Sequence, residues 1–208
     1  MNKPAEDIRE IRKIMENSAR FISLSGTSGI FVGLTAIVGL TVLLFRFDID
    51  LLNPFEPYYM DSELPLEFIR FAFADALIVL TISLGVAIAL TVNRSRKLGR
   101  KTWDKSARRL VINLFLPLVI GGFFCLALMF HHKTGMIAPA TLVFYGLALL
   151  HASKYSLEDI RVMGLIQSTL GIIGLFRPQL GLVLWALGFG ILHIVYGMIM
   201  YYKYDRGA

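Results

Sequence analysis

Apolar residues run along this chain in long unbroken blocks separated by short polar connections. Six blocks reach or approach the ~20 residues that cross ~30 Å of hydrocarbon at ~1.5 Å per residue. They cover 21–45, 66–92, 110–130, 137–152, 160–176 and 180–202. The pattern predicts an all-α, polytopic integral membrane protein with six transmembrane helices in a bundle. The fourth and fifth blocks are short, so a five-span chain or a re-entrant fifth segment is the alternative architecture.

Ahead of the first block, Ile8, Ile11, Met15 and Ile22 recur at helical spacing, and Arg12 to Glu16 and Glu16 to Arg20 form i,i+4 charge pairs. This predicts an amphipathic helix over 1–20 on the membrane surface, with 203–208 as a short tail. The first block is too long for a signal-peptide core, follows four acidic residues and lacks a small-residue cleavage pattern, so it is expected to remain as a span.

Composition agrees with this reading: 56% of residues are hydrophobic and 17% charged, against roughly 45–50% and about 25% in soluble domains. Cys125 is the sole cysteine, so one chain has no disulfide framework. Charge sets orientation, because Lys and Arg in short loops are retained on the cytoplasmic side. With six spans, seventeen of the 21 Lys and Arg fall on one side and Arg46, Arg70, Lys133 and Arg177 on the other. Both termini are therefore expected in the cytoplasm, and a chain of this topology suits a bacterial inner membrane.

Eight of those cations crowd the connection between the second and third spans: Arg94, Arg96, Lys97, Arg100, Lys101, Lys105, Arg108 and Arg109, with Trp103 among them. They are expected to touch anionic lipid headgroups. No nucleic-acid-binding module accompanies them, so nucleic acid is not an expected partner. The opposite connection, 46–68, holds six carboxylates and three prolines in a spacing that matches no EF-hand, and no metal is expected there.

Ser25, Gly29 and Gly33 place small residues every four positions on the first span, which suits close helix packing within the chain or a homodimer face. Gly181, Gly188, Gly190 and Gly197 thin the last span similarly. Among polar residues inside the spans, Asp75 is an ion or proton candidate, with Arg70 or Lys133 as its expected partner. A second group gathers in the cytoplasmic half: Ser23, Ser25, Thr27, Ser28, Asn113, His151, Gln167, His193 and Tyr196. It forms either a binding cavity or a hydrogen-bonded core, and the sequence does not separate the two.

Gly26-Thr27-Ser28-Gly29 together with His193 in the last span resembles the GxSG serine and final-helix histidine of rhomboid intramembrane proteases, which also have six core helices. The resemblance implies Ser28 as nucleophile and His193 as base. It covers only these residues; rhomboids carry the serine on the fourth helix, and Tyr196 stands where their final-helix pattern has glycine. A bis-histidine haem site through His151 and His193 is a further chemical reading, but no attachment motif is present and no cofactor is expected.

With no phosphate-binding loop, metal-ligand cluster or catalytic-sized soluble segment, the leading expectation is a non-enzymatic membrane scaffold or complex subunit. It would engage anionic lipid or a protein partner through its basic face. A small proton- or cation-linked transporter or channel ranks second, and an intramembrane enzyme using Ser28 and His193 third.

Overall fold

The computed structural model describes residues 25–51, 65–99 and 103–205; the amphipathic segment 1–20, Ser23, Arg100 and Lys101 lie outside them. The described chain is helical, in the order α1 (Gly26–Phe47), α2 (Leu66–Lys97), α3 (Lys105–Phe130), α4 (Ile137–Ser153), α5 (Asp159–Phe176) and α6, a helical run over Pro178–Asp205. All six are long and apolar enough to cross a membrane, α4 with the help of a 3-10 turn at Thr134–Met136. α5 is one unbroken helix of 18 residues, so its shortness in sequence does not correspond to a broken or re-entrant segment.

Apolar side chains dominate the outside as well as the core, and the core also takes in polar ones. Ser95, Ser106, Ser156, Gln167 and His193 are buried, whereas Phe45, Phe130 and Phe176 are each at least 80% exposed. Apolar side chains outside and satisfied helical backbone inside are what hydrocarbon solvent selects.

Two helices extend beyond their apolar blocks, each through a polar interaction. α3 begins at Lys105 because the Asp104 carboxylate accepts the Ala107 backbone N–H at 2.7 Å, an N-cap. α2 continues to Lys97, past the last apolar residue of its block, and carries Arg94 into the contacts described below.

Extensive packing joins α2 to α1, α1 to α6, α6 to α4 and α5, α4 to α5, and α4 to α3. The small-residue stripe of α1 decides its place in this order. A Cβ added at Gly29 would lie 3.0 Å from the Gly197 Cα, and one at Gly33 would lie 2.5 Å from the Gly190 carbonyl oxygen. The stripe that suited a homodimer is thus covered by α6 of the same chain. α4 and α5 meet as closely, with Gly146 against the Gly164 carbonyl.

α6 is not uniformly α-helical: Ala186–Leu192 and Tyr201–Asp205 are π-helical. Such wide turns are uncommon and change the register of side chains along one helix face. The first places Gly188 and His193 on the α4/α5 side; the second brings Lys203, Tyr204 and Asp205 together at the basic end.

Candidate functional site

His193, 4% exposed, stands at the centre of the polar residues in the spans. Its Nδ1 lies 2.9 Å from the Gly188 carbonyl oxygen and its Nε2 lies 2.9 Å from the Tyr145 hydroxyl. A carbonyl oxygen only accepts, so Nδ1 carries the hydrogen and donates; in the neutral ring Nε2 then accepts from the Tyr145 O–H. Trp185, Phe189, His193 and Tyr145 form an aromatic ladder around this pair, with successive centroids 4.9, 5.8 and 5.4 Å apart.

Gln167, at the middle of α5, is fully buried and faces Gly188: a Cβ added to that glycine would lie 3.1 Å from both amide heteroatoms. Neither amide atom has a hydrogen-bond partner among the described residues, and the same holds for the buried Tyr196 hydroxyl, one turn from His193, and for the Ser168 hydroxyl. Met163, Leu192 and Tyr196 pack together at this interface.

At the basic end the polar contacts are ionic. Asp159 receives Lys203 Nζ on both carboxylate oxygens at 3.0 Å and the Tyr204 hydroxyl at 2.9 Å. Arg94 pairs with Asp205 and donates to the Tyr204 carbonyl at 2.7 Å. Asp205 also accepts the Gly26 backbone N–H at 2.9 Å and a longer hydrogen bond of 3.4 Å from Ser25 Oγ. The end of α6 thereby caps the start of α1 and anchors the end of α2.

The structure brings together only part of the residue set drawn from sequence. Gln167, His193 and Tyr196 share the α4/α5/α6 interface. Ser25 belongs to the basic-end contacts instead. Asn113 donates to the Arg109 carbonyl of its own helix at 2.8 Å, and His151 is exposed near the end of α4. His151 and His193 do not meet, and both His193 nitrogens are occupied, which removes the geometry of a bis-histidine haem.

Ser28 and His193 also stay apart. The Ser28 hydroxyl donates to the Ser25 carbonyl at 2.6 Å, and the His193 ring turns toward α4 while its backbone carbonyl faces Gly29. A nucleophile needs a base in hydrogen-bond reach, so the protease-like pairing is not formed.

Asp75 faces Gly39 of α1, and no hydrogen bond or ion pair reaches it among the described residues. The expected pairing with Arg70 or Lys133 is absent; on that side of the molecule Arg46 pairs with Glu67 instead. Of the cations assigned to lipid headgroups, Arg94 is turned inward, its side chain 10% exposed. Arg96, Lys97, Trp103, Lys105, Arg108 and Arg109 are exposed.

Sequence reading missed Tyr145 and Asp205. Tyr145 was legible as a hydroxyl at mid-span in the fourth block; nothing short of the fold pairs Asp205 with residues at the start of α1. Comparison with known proteins finds no matching family model and no significant match among curated proteins or solved structures.

Proposed function

We propose that this chain is a non-enzymatic scaffold or subunit of a membrane complex, seated in a bacterial inner membrane with both termini in the cytoplasm. Its basic end engages anionic lipid headgroups or an acidic protein partner. The observation that carries this reading is the division of labour within the basic stretch. Arg94 is consumed in holding α1, α2 and α6 together, while Arg96, Lys97, Lys105, Arg108 and Arg109 stay exposed around Trp103 at the same end. Exposed cations beside an interfacial indole are worth about 1 kcal/mol each toward an anionic membrane surface. Asp75, which no hydrogen bond or ion pair reaches among the described residues, lies on a helix whose extensive packing among them is on α1, and gives the other half of the molecule a polar contact point for a neighbouring span.

Native mass spectrometry of the protein released from lipid nanodiscs tests this reading. Retention of anionic over zwitterionic lipid, lost when the five exposed cations become glutamine, is the expected result. Equal retention of both lipid classes overturns the engagement of anionic lipid and leaves the acidic partner as the target of the basic end.

A proton- or cation-linked transporter is the second reading, favoured by Tyr145, Gln167 and His193 meeting near mid-span. Ion or proton flux in liposomes that disappears in Asp75→Asn or His193→Ala would promote it over the first.

A further inference from the structure

Three side chains on α5 and α6 hold four buried polar atoms that no described residue satisfies: Gln167 Oε1 and Nε2, Tyr196 Oη and Ser168 Oγ. Left unsatisfied, each such group costs about 1–3 kcal/mol, and more where hydrocarbon rather than water surrounds the protein. Gln167 faces Gly188, whose carbonyl holds His193 Nδ1, and Tyr196 lies one turn from His193 on the other side, so these two flank the His193–Tyr145 pair along the α4/α5/α6 interface; Ser168 faces Gly146 of α4 instead. We propose that this interface holds a short file of ordered water, entered from the basic end, which connects the His193–Tyr145 pair to solvent and makes His193 a proton-binding site. This inference is independent of whether the basic end binds lipid or a partner.

Water matches the groups present. Gln167 offers one acceptor and one donor side by side and Tyr196 a hydroxyl that does both, which a molecule with two donors and two acceptors satisfies. A bound ion would need an unbalanced charge nearby. The charged groups facing the interface, Asp159 on α5 and Lys203 on α6, neutralise each other at its mouth. The other titratable groups facing it are Tyr145 on α4 and Tyr196 and Tyr204 on α6; α1 brings Gly29 against the His193 carbonyl, and α3 contributes Leu114.

The direction of access follows from what closes the interface. Beyond Gln167, away from the basic end, Gly174 packs against Pro139 and Leu184, while Leu142 closes on Gly188 beside Gln167; all are buried. Toward the basic end the next polar groups are Tyr196 and then Tyr204, which donates to Asp159 at 2.9 Å. A proton delivered along this line from bulk water adds to the Nε2 lone pair, and the ring gains one positive charge. For that to happen the Tyr145 hydroxyl turns from donor to acceptor, and its hydrogen points into the file.

Side-chain NMR of 15N-histidine- and 15N-glutamine-labelled protein in nanodiscs tests the proposal. Water-edited spectra are expected to show transfer to the Gln167 amide, and the His193 Nδ1–H is expected to exchange with deuterated solvent. In Tyr196→Phe that exchange should slow by roughly tenfold or more, while Ser168→Ala, whose hydroxyl faces Gly146 of α4 rather than α6, leaves it unchanged. Backbone amide protection in α5 and α6 confirms that each variant is folded; if Tyr196→Phe is not, Tyr196→Met serves in its place with the same expected slowing. Absence of water transfer to Gln167 overturns the hydrated file. Slowing by Ser168→Ala but not by Tyr196→Phe overturns access from the basic end.

Discussion

The Asp205 carboxylate accepts the backbone N–H of Gly26 at 2.9 Å, across 179 positions of sequence. One side chain at the end of the last span therefore caps the first helix of the membrane domain, and its second role is to pair with Arg94 at the end of α2. A helix start leaves its first N–H groups without intrahelical partners, and within hydrocarbon or at its edge that deficit must be met by the protein. Asp205 meets it while balancing a guanidinium that is 90% buried by side-chain area.

Asp205→Ala should be the more damaging half of this pair, because it removes the cap and strands Arg94. A loss of about 2–4 kcal/mol is expected, reported by thermal unfolding in detergent. Arg94→Met leaves Asp205 bonded to Gly26 and Ser25 and should cost less. The double variant is expected to be markedly less destabilised than the sum of the two. Strict additivity would mean that the pair contributes no coupling energy.

Gly33→Ala places a Cβ 2.5 Å from a backbone carbonyl oxygen of α6, a contact that only separation of the helices relieves. A loss of about 1–3 kcal/mol is expected. Gly85→Ala and Gly122→Ala meet nothing within 4 Å and should be neutral or slightly stabilising, since alanine restricts the unfolded chain more than glycine does. Because the Gly29 and Gly33 face is filled by α6, subunit count by native mass spectrometry should not change in Gly33→Ala variants that remain folded. A shift in that count would place the stripe at an interface between copies.

These two junctions mark how far the sequence is legible. Six spans follow from apolar block length alone, and their existence needs no tertiary information. The stripe of Ser25, Gly29 and Gly33 is equally visible, but sequence spacing says only that some backbone approaches it, not that the backbone is Gly190 to Gly197. Arg94 is the clearest case of the limit. Within a run of eight cations it is indistinguishable from its neighbours, and only the extension of α2 past its apolar block turns it onto Asp205. Likewise Gln167, His193 and Tyr196 were visible as polar residues in spans, whereas Asn113, which bonds its own helix, looks the same in one dimension.

Ser28→Ala should leave any activity of the protein unchanged and cost little stability, because among the described residues the hydroxyl bonds only to the Ser25 carbonyl of the preceding turn. Tyr145→Phe is the contrasting change. It leaves His193 Nε2 buried without its donor, an expected cost of about 1–3 kcal/mol. Unfolding midpoints of the two variants measured side by side check both statements. A Ser28→Ala variant that abolished a measured activity with the fold intact would restore serine chemistry.

Arg94 and its exposed neighbours should separate cleanly in two assays. Lys97→Gln, Lys105→Gln or Arg108→Gln removes a solvated charge and should lower affinity for vesicles rich in anionic lipid by roughly threefold to tenfold each, an effect that fades as salt is raised. None of the three should move the unfolding midpoint appreciably, since exposed charges contribute little to stability. Arg94→Gln should do the reverse, lowering the midpoint while leaving vesicle affinity nearly unchanged, because its guanidinium faces Asp205 and the Tyr204 carbonyl rather than the surface. If Arg94→Gln weakened vesicle binding as much as Lys97→Gln without affecting stability, the inward pairing would not be what holds the ends of α1, α2 and α6 together.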